Sequence, residues 1–324
     1  MDRQVQAEDM MAWLADMKNI SMFSRTFRHG SVTMTICPIL KGIYLVRNEI
    51  SGSELPLEER YERIGMTTIN WCISGRCEFH HSEKSLSYIS PNMVCIGKKR
   101  RIRSFYYPLG YYSGFELYFI ESLINPETER ILSLFELDIS ALGKRFLKFS
   151  ESFVGMADDA LVAEFRELVS LLESGRLGAI RMKTLQIVQR IITDAPVVPI
   201  TLHSLTREQA LLARKTHDML TADLSAHVPV REIANRLGSS ETSLKNFFKE
   251  VYGSCISCYM NSLRMEYAAK LLRSTELSVS EISSSVGYAN QGHFAELFHK
   301  FHGIRPLEYR KKKWCRWRTL PENC

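Results

Sequence analysis

The sequence predicts an α+β chain of more than one domain. A strand-rich barrel or sandwich with a helical section comes first. An all-α C-terminal domain follows, in which two helix-turn-helix units are joined by a linker helix. Three observations predict this. Short runs of β-branched and aromatic residues, separated by turn residues, fill residues 31–120. Apolar residues at helical spacing take over from Pro126. One pattern occurs twice near the C-terminus: Val230–Gly238 aligns with Val279–Gly287, placing Ile233 on Ile282, Leu237 on Val286 and Gly238 on Gly287. The expected boundaries are 1–125, 126–194, a linker at 195–205, and 206–318; 324 residues are enough for two domains.

Along the chain, Met10, Met11, Leu14 and Met17 have helical spacing and predict a short N-terminal helix or arm. Strands are expected at Val32–Ile36, Gly42–Ile50, Met66–Ile73, Cys77–His80, Ser85–Ile89, Met93–Ile96 and Tyr112–Ile120. Turn residues such as Ser74-Gly75 and Ser90-Pro91-Asn92 separate them. From Ile131 to Ile192 the period is helical, with Gly143, Gly155 and Gly175 as punctuation. Prolines in Ala195–Ile200 forbid a helix there, and this stretch reads as the interdomain linker. Thr206 ahead of Glu208-Gln209 caps the next helix.

In each repeat a glycine turn leads into a second amphipathic helix. Leu244, Phe247, Phe248 and Val251 form one apolar face; Phe294, Leu297, Phe298 and Phe301 repeat it. Gly253 and Gly303 read as C-caps. Opposite the first apolar face stand Thr242, Lys245, Asn246 and Lys249, with Ser243 beside them. Hydroxyl, amide and ammonium groups on one helix face suit base edges and phosphates in a major groove; a solvated surface would also be polar. Between the repeats, Ile256–Arg273 reads as one helix of about 25 Å, a spacer for two helices that enter grooves roughly 34 Å apart.

Charge agrees with this. Residues 226–318 hold 15 Lys and Arg against eight Asp and Glu, whereas residues 1–225 are balanced. The positive excess lies where a nucleic-acid binder needs it. The eight cysteines lack four-ligand zinc spacing; Cys255-Ile-Ser-Cys258 is a CxxC with no second pair, and reads as structural or incidental thiols. No apolar run reaches the roughly 20 residues that span a bilayer, and no apolar core segment opens the chain, so a cytoplasmic location is expected.

The stretches Ile233–Gly238, Leu244–Lys249, Arg264–Leu272, Val286–Phe294 and Phe298–Arg310 together resemble the DNA-binding domain of AraC/XylS-family transcription regulators. The resemblance covers about a third of the chain. It implies double-stranded DNA and RNA polymerase as partners, usually activation, and base contacts from Thr242, Lys245 and Asn246 and from Gln291, Gly292 and Glu296. His293, His299 and Lys300 would lie near the DNA backbone. Glu296 departs from the family pattern, and Gly292 and Ala295 offer no side-chain hydrogen bonds. The first recognition helix is therefore expected to carry most base specificity.

By the same resemblance, residues 1–125 are expected to be a cupin-like sensor of a small-molecule effector, and the helical section to support a homodimer, with a bundle packed on its own barrel the alternative reading. Trp71 and Tyr112 are candidate ligand contacts among the aromatics, with core packing the alternative reading. Arg101 or Arg103, turned inward from the basic run Lys98–Arg103, would pair with an anionic ligand; a solvated loop is the alternative. A catalytic metal is not expected. His80 and His81 are adjacent, so a strand would point them to opposite faces, and no further His occurs before His203. The function expected is a DNA-binding regulator with no cofactor and no catalysis, controlled by a metabolite. Control by a protein partner is a second reading, and an enzyme fused to a DNA-binding domain a third.

Overall fold

The computed structural model describes residues 13–27, 30–56, 66–80, 85–98, 104–148, 152–194, 196–201 and 203–312. It divides into two compact units, Met1–Ser204 and Leu205–Cys324.

The first unit is built on an antiparallel sheet of eight strands. These are β1 (Ser21–Phe27), β2 (Gly30–Leu40), β3 (Ile43–Gly52), β5 (Met66–Gly75), β8 (Met93–Lys98), β10 (Tyr111–Ile120), β11 (Ser152–Ala157) and β12 (Val197–Pro199). Two smaller pairings accompany it: β4 (Glu54–Pro56) with β9 (Ser104–Tyr106), and the hairpin of β6 (Cys77–His80) and β7 (Ser85–Ile89). Among the described residues, α1 (Pro126–Leu134) and α2 (Ser140–Phe146) lie between β10 and β11, and α3 (Asp159–Ser174) and α4 (Leu177–Thr193) between β11 and β12.

The expected closed, cupin-like barrel is not formed. The sheet order runs β1-β2-β3-β10-β5-β8-β11-β12, and the end strands β1 and β12 do not pair with each other. The reason lies in what covers the sheet. Ile69, Trp71, Phe115, Leu117 and Phe119 project from one face, the face a barrel would turn onto itself. Here Leu161, Phe165 and Leu168 of α3 and Leu185, Val188 and Ile191 of α4 fill that face. Trp71 stacks on Phe165 with ring centroids 4.4 Å apart and planes 12° apart. The helical section expected at 126–194 is thus partly a second layer on its own sheet.

Two elements differ from the sequence reading. Gly155, read as punctuation between helices, lies inside β11. A Cβ there would stand 2.5 Å from the Val198 carbonyl, so only glycine allows β12 so close. Val197–Pro199, read as linker, is that edge strand; proline is tolerated there because an edge strand has a side without ladder bonds.

The opposite face of the sheet carries two more apolar clusters. One gathers Cys72, Cys77, Ile89, Cys95, Tyr107 and Tyr112; the other gathers Leu14, Tyr44, Val46, Tyr118 and Ile120. The Tyr44 hydroxyl donates to the Leu14 carbonyl at 2.8 Å, anchoring the described end of the N-terminal arm. Met10 and Met11, expected in the same helix, lie outside the described residues.

The second unit is helical: α5 (Arg207–Thr221), α6 (Val230–Arg236), α7 (Glu241–Tyr252), α8 (Ile256–Ser274), α9 (Val279–Ser285), α10 (Gln291–His302) and α11 (Pro306–Lys311). Thr206 and Gln209 form a reciprocal capping box on α5, and Ser278 and Glu281 form another on α9. The repeated pairs are α6–α7 and α9–α10. Gly238 and Gly287 turn them with φ of +63° and +83°, a region open to glycine at little cost. Each pair packs its own core. His217, Phe248, Tyr252 and Tyr259 stack in the first. Met265, Ala269, Ile282, Phe294, Phe298 and Tyr309 fill the second.

Candidate nucleic-acid interface

Helix α7 forms because its apolar residues fall three and four apart. Leu244, Phe248 and Val251 have no exposed surface. Ser240 caps it, accepting from the Ser243 N–H at 3.0 Å, and Gly253 ends it in the left-handed region. This packing leaves the other stripe outward: Thr242, Lys245, Asn246 and Lys249 are all exposed. Ser243 is half-buried, and its hydroxyl accepts from Ser240 at 2.8 Å, so it serves the cap. The Lys245 ammonium is paired with Glu241 one turn earlier. Such an exposed pair is weak, and a phosphate can replace the carboxylate at little cost.

Helix α10 repeats the construction. Asn290 caps it, accepting from the His293 N–H at 3.1 Å, and Phe294 and Phe298 are fully buried. Gln291, Gly292, His293, Glu296, His299 and Lys300 are exposed. The outward chemistry differs from that of α7. Aligning Leu244 on Phe294 sets Thr242 against Gly292, Lys245 against Ala295, Asn246 against Glu296 and Lys249 against His299. The second face keeps an acid where the first presents an amide.

The spacer is α8, whose 19 residues span about 28 Å. The structure adds a tie that spacing arguments missed. Arg264 is only 8% exposed and lies four residues from both Met260 and Ala268 on the apolar side of α8. It donates to the Leu224 carbonyl at 3.0 Å and the Ala226 carbonyl at 2.9 Å, in the loop between α5 and α6. Its guanidinium carbon also stands 5.9 Å from the centre of the Tyr288 ring. A charged residue in an apolar register was the signal in the sequence.

A helix-turn-helix domain family model matches residues 233–312. The Xylose operon regulatory protein of Escherichia coli is 35% identical over 83 residues, 26% of this chain and 21% of that protein. The HTH-type transcriptional activator RhaR of Yersinia pseudotuberculosis is 29% identical over 93 residues, 29% of this chain and 32% of its own. Residues 233–312 are thus a helix-turn-helix domain of the AraC/XylS family. Among solved structures, the C-terminal domain of AraT, a response regulator from Geobacillus stearothermophilus, is similar at 30% identity, covering 33% of this chain and 90% of that one with a TM-score of 0.31. The chain thus spans between a fifth and a third of the length of these curated relatives.

The N-terminal candidates do not converge. Trp71 is buried against Phe115 and Phe165 on the helix-covered face of the sheet. The cavity beside it is about 20 Å³, room for about one water. Tyr112 is buried in the cluster on the opposite face. Arg101 and Arg103 lie outside the described residues, as does His81. His80 is paired with Glu78 at 2.8 Å. Among the described residues no three His, Cys, Asp or Glu side chains are grouped to hold a metal, and no helix is long and apolar enough to cross a membrane.

On the Tyr112 face the sheet carries a hydrogen-bonded polar strip between apolar clusters. The Tyr112 hydroxyl donates to Asn70 at 3.2 Å, Asn70 donates to Glu116 at 3.2 Å, and the Tyr118 hydroxyl donates to Glu116. Asn48 is a further buried polar residue on β3. Of this strip the sequence pointed only to Tyr112, because the partners Asn70, Glu116 and Tyr118 are brought to it by strand pairing and not by spacing along the chain.

Proposed function

We propose that the chain binds a promoter with α7 and α10 in successive major grooves and activates transcription there in response to a small molecule. Thr242, Lys245 and Asn246 contact bases, and Lys249 contacts a phosphate. Gln291, Gly292, His293 and Glu296 make the second, less discriminating contact, and RNA polymerase is the partner recruited. The single observation that carries this reading is the exposed polar stripe of α7 opposite a fully buried apolar stripe, set beside its repeat in α10. The effector site belongs to residues 13–201. The Asn70, Glu116, Tyr112 and Tyr118 strip supports it, because hydrogen-bonding groups between apolar clusters are what a small polar ligand requires.

The test selects duplexes from a random library with the full chain at physiological salt. The proposed outcome is two specified stretches about one helical turn apart, with the stronger preference in one of them. Salt-sensitive binding without any motif would overturn the reading. Thermal shifts with a metabolite library separate a small-molecule effector from a protein partner, since a ligand that prefers the folded state raises the melting temperature by mass action.

A further inference from the structure

Six described cysteines fall into two classes. Cys37, Cys72, Cys77 and Cys95 are buried in the sheet unit, and burial pushes the thiols of Cys37, Cys72 and Cys95 up to about 12. Thiols in that state are inert, because the thiolate is the nucleophile. Cys255 is exposed and Cys258 half-buried, both at the start of α8, with two residues between Cys255 and the end of α7.

Residues three apart in a regular helix have Cβ atoms about 5–6 Å apart, too far for a disulfide, which needs about 3.8 Å. Cys255 is not in regular helix. It is the N-cap, with φ −65° and ψ 153°, and this extended backbone swings its side chain back over the first turn. Its sulfur accepts from the Cys258 N–H at 3.2 Å and lies 2.7 Å from the Cys258 sulfur, with the Ser257 hydroxyl 3.1 Å away. Hydrogen bonds from Cys258 and Ser257 hold the Cys255 thiol below its ordinary value.

We propose that Cys255 and Cys258 form a site of reversible thiol oxidation, closing an intramolecular disulfide on reaction with a hydroperoxide. The Cys255 thiolate attacks one peroxide oxygen; an S–O bond forms, the O–O bond breaks, and hydroxide leaves to take up a proton. The Cys258 thiol then gives up its proton and attacks the Cys255 sulfur; the S–S bond forms and the S–O bond breaks, releasing a second water. Two thiols are oxidised by two electrons, and one hydrogen peroxide becomes two waters. Cys255 attacks first because it is the more exposed sulfur and the one that collects hydrogen bonds. Cys258 resolves because it is already in contact. The site does not depend on the proposed DNA contacts.

The experiment uses the full chain carrying Cys315→Ser and Cys324→Ser, which removes the two remaining thiols. Reduced and hydrogen-peroxide-treated samples are denatured, alkylated, digested with trypsin and weighed. Both cysteines fall on one peptide, Glu250–Arg264. The expected result is a peptide lighter by two hydrogens that takes up no alkyl group, returned to its doubly alkylated form by dithiothreitol, while the four buried cysteines stay alkylated. Oxidation of Met260 on the same peptide would add an oxygen that dithiothreitol does not remove. Cys258→Ser should retain a Cys255 sulfenic acid that a cyclic 1,3-dione traps, and Cys255→Ser should slow peroxide consumption by about tenfold. A Glu250–Arg264 peptide still doubly alkylated under peroxide that oxidises free glutathione, or a Cys255→Ser protein reacting as fast as its parent, overturns the proposal.

Discussion

Arg264 and Leu224 are 40 residues apart in the chain, yet the Arg264 Nε–H donates to the Leu224 carbonyl at 3.0 Å. The bond joins the spacer helix to the loop that leads into the first helix pair. A second bond from the same guanidinium reaches Ala226. Arg264→Ala should cost about 3 kcal/mol, because two charge-assisted bonds are lost and two carbonyls lose their donor. Arg264→Lys should recover little, since a single ammonium does not reproduce the planar fork. Denaturant unfolding of the three proteins measures both.

The turn glycines should not be equivalent. Gly238 has open space where a Cβ would go, whereas a Cβ on Gly287 would meet the Ser225 and Leu224 carbonyls at 2.9 and 3.0 Å. Gly238→Ala should cost about 1–2 kcal/mol, the left-handed backbone penalty alone. Gly287→Ala should cost more, and the excess should show as a lower melting temperature. Equal losses would mean that the loop at 224–225 yields freely.

DNA binding should separate the two recognition helices. Lys245→Ala and Asn246→Ala should each lose about 1–3 kcal/mol of discrimination between the selected site and a scrambled one. If Lys245 also touches a phosphate, its removal lowers the salt slope by about one. Glu296→Ala should leave discrimination nearly intact and raise overall affinity, because an acid facing the duplex is removed. Loss of sequence preference in Glu296→Ala alone would reverse the assignment. Titrations at several salt concentrations report all three.

Stability should fall on mild acidification. Burial holds the His217 and His302 imidazoles below the ordinary 6.5. The unfolded chain therefore takes up protons at a higher pH than the folded one. The neutral-histidine stabilisation is fully present above 6.5 and is lost as pH falls through 6.5 toward the depressed folded values. His302 Nε2 lies 3.3 Å from the Met265 carbonyl, so the neutral ring donates there. Melting temperatures between pH 7.5 and 5.5 should decline, and His302→Gln should flatten the decline.

The helix pairs were legible because their information is local. Leu244, Phe248 and Val251 repeat at helical spacing, and Gly253 and Gly303 mark the ends, so period and punctuation agree. The sheet was legible only as strands. Whether β1 and β12 meet depends on what covers Trp71 and Phe115, and that covering comes from Phe165 and Val188, far along the chain. The Arg264 tie was hidden for the same reason: a lone arginine in an apolar register declares burial but not its partners. Ser243 illustrates the converse. It lies among the proposed DNA contacts in sequence, and its bond with Ser240 turns it toward the helix end.

Helices α7 and α10 are closed alike, at Gly253 and Gly303 with φ of 79° and 74°, and Leu244 and Phe248 of the first are as fully buried as Phe294 and Phe298 of the second. Their outward residues differ at nearly every aligned position. Substitutions on such outward positions usually change folding by less than about 0.5 kcal/mol. A duplicated unit built this way is evolvable. In the proposed function, one face can drift toward a new DNA sequence while the other keeps the protein in register, and neither change draws on the narrow margin by which the domain stays folded.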